Sequence, residues 1–181
     1  MEVDVQLPDR RDTLVHIRRL ERSELGQLLA LDRAVIAAGR GVVLHHDEVD
    51  AKSTERNFNR LHRAGEQNAA LLGAFIGPIL VANAEVHRLD LRSLHHAGTL
   101  TLGVHPRWQG RGIGRLLLSA ALDWADRVGI ERMELNVLAD NHRAVRLYEH
   151  HGFVLEGTRR GAFRFDDGRV VDDLLMARCR F

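Results

Sequence analysis

Polar and apolar residues alternate over Thr13–Arg19, where Leu14 and Val15 precede Ile17, and this predicts a first strand. Ser23 offers an N-cap for a helix whose Leu25, Leu28, Leu29, Asp32, Ala34 and Ile36 recur at helical spacing up to Gly39. Gly39-Arg-Gly41 interrupts the pattern, and Val42–Asp47 reads as a loop. A polar helix is expected over Glu48–Ala64, stopped by Gly65; its thin stripe of Val49, Phe58 and Leu61 suits a surface helix over a cleft. Ala69–Ile76 and Ile79–Leu89 are apolar runs about a Gly77-Pro78 turn. Leu91–His96 reads as a loop and Gly98–Val104 as a strand. A strong helix is predicted over Ile113–Val128, with Ile113, Leu116, Leu117, Ala120, Ala121, Trp124 and Val128 on one face. Arg132–Leu138 alternates as a strand, and Asp140-Asn141 caps a short helix ending at Gly152. Phe153–Phe165 and Arg169–Arg178 form an expected antiparallel pair turned at Asp166-Asp-Gly168. The order β-α-α-β-β-β-α-β-α-β-β describes a mixed α/β (α+β) domain with a mainly antiparallel sheet. Residues 1–11, polar and charged, read as a disordered lead, and residues 12–181 as one domain.

Composition narrows the class. With 45% apolar and 28% charged residues, 181 residues can bury a core without staples. The 26 basic and 25 acidic side chains nearly cancel, which gives no case for nucleic acid or an anionic membrane surface as partner. No apolar run approaches the ~20 residues of a membrane span, and the acidic N-terminus lacks a signal-peptide pattern. A lone Cys179 makes no internal disulfide. These features lead to the expectation of a cytoplasmic protein.

The chemistry concentrates in Val104-His-Pro-Arg-Trp-Gln-Gly-Arg-Gly-Ile-Gly-Arg115, between a strand and a helix. Glycines at 110, 112 and 114 let backbone amides approach a ligand unobstructed. The helix that starts there adds unpaired N–H groups and a positive dipole end, and Arg107, Arg111 and Arg115 add charge. A pyrophosphate is the natural occupant; a plain glycine turn between strand and helix is the competing reading. A dinucleotide fingerprint from Gly110 fails because its last position is Arg115, and no Gly-Lys-Ser/Thr of a P-loop is present.

The stretch Gln109-Gly-Arg-Gly112-Ile-Gly114, preceded by Val-x-Pro, resembles the acetyl-CoA-binding segment of the GNAT N-acetyltransferase superfamily. A second segment, Asn141-His-Arg-Ala144-Val-Arg-Leu147-Tyr148-Glu-His-His-Gly152-Phe153, is similar to that superfamily's Asn-x-x-Ala-x-x-Leu-Tyr-x-x-x-Gly-Phe element. Ala144 and Tyr148, four apart, share a helix face. The resemblance implies a GNAT-type sheet flanked by helices, with a bulged strand Thr99–Val104 splayed from Arg132–Leu138 and the pantetheine arm of acetyl-CoA in the gap. It places cofactor contacts at Leu102, Gly103 and Val104, and a pyrophosphate cradle at Gln109, Gly110, Arg111, Gly112, Ile113, Gly114 and Arg115. Asn141 would hydrogen-bond the cofactor arm as well as cap its helix. Tyr148 would donate a proton to the leaving thiolate.

For the proton acceptor the resemblance leaves Glu85, Glu134, His105 or ordered water, with Glu85 favoured. Asn136 faces either the cleft or an ordinary sheet surface. Asp166, Asp167, Asp172 and Asp173 read better as a solvated hairpin than as contacts to a cationic substrate. The paired histidines 45–46, 95–96 and 150–151 diverge on helix and strand alike, without Cys or carboxylate at ligand spacing, so no metal is expected. The implied activity is direct acetyl transfer from acetyl-CoA to a primary amine. The C-terminal pattern Leu155-Glu-Gly-Thr-Arg-Arg … Val171-Asp-Asp-Leu-Leu-Met-Ala-Arg178 is similar to small bacterial members that act on amino acids or related amines. Acetylation of a protein N-terminus or lysine, and a non-catalytic acetyl-CoA sensor, stay open. A homodimer is expected from the family.

Overall fold

The computed structural model describes residues 2–7, 10–39 and 48–181. Among them eight strands form one sheet: β1 (Glu2–Leu7), β2 (Arg10–Arg19), β3 (Ala69–Ile76), β4 (Ile79–Arg88), β5 (Ala97–Val104), β6 (Arg132–Leu138), β7 (Val154–Arg164) and β8 (Val170–Cys179). Their spatial order is β1-β2-β3-β4-β5-β6-β8-β7. Only β5 and β6 pair in parallel, so the sheet is mixed and mainly antiparallel as expected. The helices are α1 (Leu25–Ala37), α2 (Ala51–Ala64), α3 (Ile113–Arg127) and α4 (His142–Glu149).

Both faces of the central strands are covered. Ala70, Leu72 and Ala74 of β3 pack toward α3 with Leu117, Leu118 and Ala121, whereas Ala69, Leu71 and Phe75 pack toward α1 and α2 with Leu28, Leu31 and Leu61. A strand buried on both sides reads as a continuous apolar run rather than an alternation, which is why Ala69–Ile76 carries no polar position. Gly73 leaves no room for a side chain: a Cβ there would lie 2.7 Å from the Phe75 ring and 2.8 Å from Leu80.

Three expectations require correction. The polar lead is not unstructured where it is described, because Glu2–Leu7 pairs with β2 as an edge strand, Val3 opposite Ile17 and Val5 opposite Val15. Its charges are used: the His16 ring nitrogens lie 2.5 Å from Asp4 and 2.7 Å from Glu2. Ser23 does not cap α1; a 3-10 turn over Arg22–Glu24 precedes the helix, and the Glu24 carboxylate accepts the Glu21 N–H at 2.8 Å. The polar helix starts at Ala51, where the Asp50 carboxylate accepts the Ser53 N–H at 2.6 Å. The expected loop Val42–Asp47 lies outside the described residues.

Candidate active site

The site begins where two strands part. β5 and β6 pair only at Ala97–Arg132, Gly98–Met133 and Thr99–Glu134; beyond that the strands separate. On its other side β5 keeps an unbroken antiparallel register with β4, from Arg88 opposite Gly98 to Ala82 opposite Val104. The flanking bonds His105 N–H to Val81 O and Leu89 N–H to Ala97 O show that odd-numbered residues of β5 bond to β4. The backbone groups of Leu102 and Val104 therefore point into the gap toward β6. The bulge expected in β5 is absent; the irregular step lies in β4, where Ala74 pairs with Ala82 but Phe75 with Leu80 and Val81 is skipped. Gln109 Nε2 donates to the Val104 carbonyl at 3.1 Å, fixing the chain as it leaves β5.

A cleft of about 1200 Å³ runs through the gap. Its volume exceeds the ~300–1,000 Å³ of ordinary small-molecule sites, so two substrates can share it. At one end lies the glycine turn. Gly110 and Gly112 both have φ +85°, a conformation that side chains with a Cβ rarely adopt, and Gly112 is the N-cap of α3. The first intrahelical bond runs from Leu116 N–H to Gly112 O, leaving the N–H groups of Ile113, Gly114 and Arg115 free at the positive end of the helix. Gly114 lets α3 approach β5: a Cβ there would touch Val104 at 3.4 Å and Leu147 at 3.6 Å.

The charges around the turn differ from expectation. Arg115 lines the cleft, but Arg107 and Arg111 do not. Arg111 stacks instead on the Trp108 ring at 4.7 Å. Arg143, not anticipated from sequence, lines the cleft beside Gly110, where an added Cβ would lie 3.6 Å from its guanidinium. Its signal is its place inside the second motif, on the first turn of α4. Asn141 caps that helix, its side-chain oxygen accepting the Ala144 N–H at 3.2 Å.

Tyr148 lines the middle of the cleft at 6% exposure, its ring 5.7 Å from Phe153 and tilted by 60°. Burial pushes its hydroxyl up to about 12, so the group keeps its proton at neutral pH. Asn136 faces the cleft and donates to Asp173 at 2.9 Å. Asp173 is no solvated hairpin residue: it is 1% exposed and also accepts from Arg159 Nε at 2.9 Å. That cluster ties β6, β7 and β8 together where β6 has left β5.

At the other end of the cleft stand Asp32, Val35, Asn57, Asn83 and Glu85. Glu85 is engaged at both oxygens, by Asn57 Nδ2 at 2.8 Å and by Arg60 Nη2 at 2.6 Å. Glu134 also lines the cleft and is ion-paired with Arg132 at 2.7 Å. His105 lies outside the cleft lining and its Nδ1 accepts the Arg107 N–H. In the sequence Asp32 shows only as a charged interruption of an apolar stripe. Burial, and secondarily the charge of Glu85, push its carboxyl up to about 6. Among the described residues no group of three or more His, Cys, Asp or Glu is arranged to hold a metal ion, and no helix is long and apolar enough to cross a membrane.

The sequence model of the Acetyltransferase (GNAT) family matches residues 38–153, nearly two thirds of the chain. The chain belongs to this family. Among GNAT relatives, it is 42% identical over 93 residues to the N-alpha-acetyltransferase RimI of Mycobacterium tuberculosis, covering 51% of this chain and 57% of that one. It is 31% identical over 113 residues to the L-amino acid N-acetyltransferase AaaT of Escherichia coli, covering 62% and 66%. The aligned part thus spans less than two thirds of each relative's own length. A GNAT-family acetyltransferase from Streptococcus pneumoniae superimposes with a TM-score of 0.81 at 28% identity, over 91% of this chain and 99% of that one. A GNAT phosphinothricin acetyltransferase from Sinorhizobium meliloti, solved in complex with acetyl-CoA, shares the fold with a TM-score of 0.82 at 17% identity, over 92% and 88%.

Proposed function

We propose that the protein is an acetyl-CoA-dependent N-acetyltransferase that passes the acetyl group directly to the primary amine of a small molecule, a free amino acid or a related amine. One observation carries the reading. A single cleft joins backbone groups left without a strand partner, a glycine turn opening a helix, and a buried tyrosine that holds its proton.

The residues fit the donor. The N–H and C=O of Leu102 and the N–H of Val104 would hold the pantetheine arm as a neighbouring strand would, with Gly103 between them on the β4 side. Gln109, Gly110, Arg111, Gly112, Ile113, Gly114 and Arg115 would cradle the pyrophosphate through backbone amides, with the side chains of Arg115 and Arg143 adding charge. Asn141 would reach the arm from the start of α4. Acetyl-CoA would supply an activated acetyl group whose sulfur leaves with an electron pair. Tyr148 then provides the proton for that sulfur. Backbone N–H groups aimed into the gap would stabilise negative charge on the carbonyl oxygen. Glu85, the residue favoured from sequence as base, faces the acceptor's ammonium; its bonds to Arg60 and Asn57 suit it to hold charge there. The exposed thiol of Cys179 lies outside the cleft lining and takes no part in the transfer. A cytoplasmic setting, where that thiol stays reduced, belongs to the same proposal.

The test is thiol release from acetyl-CoA across free amino acids, polyamines, aminoglycosides and N-terminal peptides, beside calorimetric acetyl-CoA binding. Release with amino acids or small amines is the expected result. Release confined to peptides would move the acceptor to protein N-termini, in line with the similarity to RimI. Absence of acetyl-CoA binding would end the reading.

A further inference from the structure

The acceptor end of the cleft holds a carboxyl that neither motif includes. Asp32 stands on α1 one turn beyond Leu28 and beside Leu31, which are 3% and 2% exposed, so it belongs to the face of the helix that packs on the sheet. Asn83 and Glu85 project from that same sheet face and line the cleft with it. Among the described residues Asp32 has no hydrogen-bond or ion-pair partner, in contrast to Glu85 with two.

Among the described residues the charge acting on Asp32 is that of Glu85, and the nearby cations are engaged elsewhere. α1 packs against α2, β4, β5 and the Arg22–Glu24 turn, whose Arg22 goes to Glu55 and Asn59 and whose Glu24 goes to Arg18. From β5, Ala97–Val104, no ionisable side chain is available. From β4, Glu85 acts on Asp32, whereas His87 faces Asp90 at 3.9 Å and Arg88 runs to backbone carbonyls at the far end of the strand. From α2, the guanidinium of Arg60 goes to Glu85 and Asn57. A carboxyl lodged in the cleft, with no cation paired to it among the described residues and a second carboxylate beside it, is suited to receive a positive group from outside.

We propose that Asp32 takes the proton from the acceptor's ammonium, with Glu85, anchored by Arg60 and Asn57, supplying the fixed negative charge that draws the cation to it. This rests on the acetyltransferase reading. One proton passes from nitrogen to the Asp32 carboxylate and on to water. The freed lone pair forms the N–C bond as the C–S bond breaks, and the sulfur takes the Tyr148 proton. The second proton leaving nitrogen restores Tyr148, so one proton is released per amide formed. A carboxyl poised near 6 is ionised at neutral pH yet basic enough to accept a proton, which a fully solvated aspartate is not.

The experiment is the pH dependence of kcat/KM, by thiol release, with the fastest acceptor from a panel of twenty free L-amino acids, spermidine and an alanine-initiated peptide. Wild-type protein is expected to level off above pH about 6. Asp32→Asn, a near-isosteric change, should lose roughly 100-fold or more at pH 7. Its rate should then climb about tenfold per pH unit toward the amine's own pKa, because an uncharged amine needs no base. Glu85→Gln should move the wild-type inflection to lower pH, since removing a neighbouring negative charge makes Asp32 easier to ionise. An Asp32→Asn protein that binds acetyl-CoA and keeps the wild-type plateau overturns the proposal, as does an inflection that Glu85→Gln leaves in place. Should Asp32→Asn fail to fold, the Glu85→Gln shift decides. Wild-type silence toward every amine would overturn the acetyltransferase reading instead, and this inference with it.

Discussion

The two ends of the β5–β6 pair differ in almost every respect that matters. At the closed end Ala97–Thr99 runs in register with Arg132–Glu134, and Gly98 packs so tightly that a Cβ would lie 3.0 Å from the His87 carbonyl and 3.2 Å from Ile130. Arg88, 5% exposed, is pinned there with no carboxylate partner among the described residues, donating instead to the carbonyls of Gln67, His95 and Val128. At the open end Leu102 and Val104 turn their backbone toward a gap rather than toward a strand partner. The site's unpaired backbone is thus sustained by over-determined packing a few residues away.

The largest separation of the two ends should come from Tyr148→Phe. Turnover should fall by roughly 100-fold or more, while calorimetric acetyl-CoA affinity and the melting temperature stay close to wild type. A mutant with wild-type turnover at saturating substrates would remove the proton-donor role. Arg88→Met should do the reverse, costing about 3 kcal/mol of stability by leaving three carbonyls without their donor. Urea denaturation reads this, and a change below about 1 kcal/mol would show that Arg88 is replaceable there. Gly112→Asp should weaken acetyl-CoA binding by roughly tenfold, because it sets a negative charge at the positive end of α3. The left-handed backbone at Gly112 adds strain to any side chain placed there.

The smallest effect should lie outside both ends. Hydrogen bonding to Asp4, aided by Glu2, raises the His16 pKa in the folded protein. Protonated His16 therefore contributes fully to the β1–β2 hairpin below the unfolded value of about 6.5, and that contribution is lost as pH rises through the higher folded value. Amide exchange along Val3–Val5 should quicken across that window beyond its intrinsic pH dependence, and His16→Gln should abolish the excess. An effect of the same substitution on turnover would contradict the separation of this edge from the cleft.

Much of the fold is readable from local pattern. Ala69–Ile76 and Arg132–Leu138 match their strands residue for residue, because a run of small and branched apolar side chains and an alternation from Arg132 to Val137 are both short-range signals. The charged residues of Glu2–Leu7 resemble a solvated tail, although Val3 and Val5 already alternate; only pairing with β2 reveals their use. The glycine turn is legible because glycines at 110, 112 and 114, set directly before an amphipathic helix, combine positive φ with close backbone approach at a helix N-terminus. Arg143 and Asp173 are not legible, since what a charged side chain faces depends on elements distant in sequence.

By itself, then, the sequence determined the order of the elements from β2 onward, the glycine turn between Gln109 and Arg115, and the family, since each depends on residues close along the chain. Tertiary structure alone decided which carboxyls meet. Asp32 and Glu85 are far apart in sequence and come to one cleft because α1 packs on β4 and β5. Arg60 and Asn57 reach Glu85 because α2 lies beside it. Pattern is set by local sterics and hydrophobic period, whereas a pKa and a proton's destination are set by whatever charge and solvent the fold brings within a few ångströms.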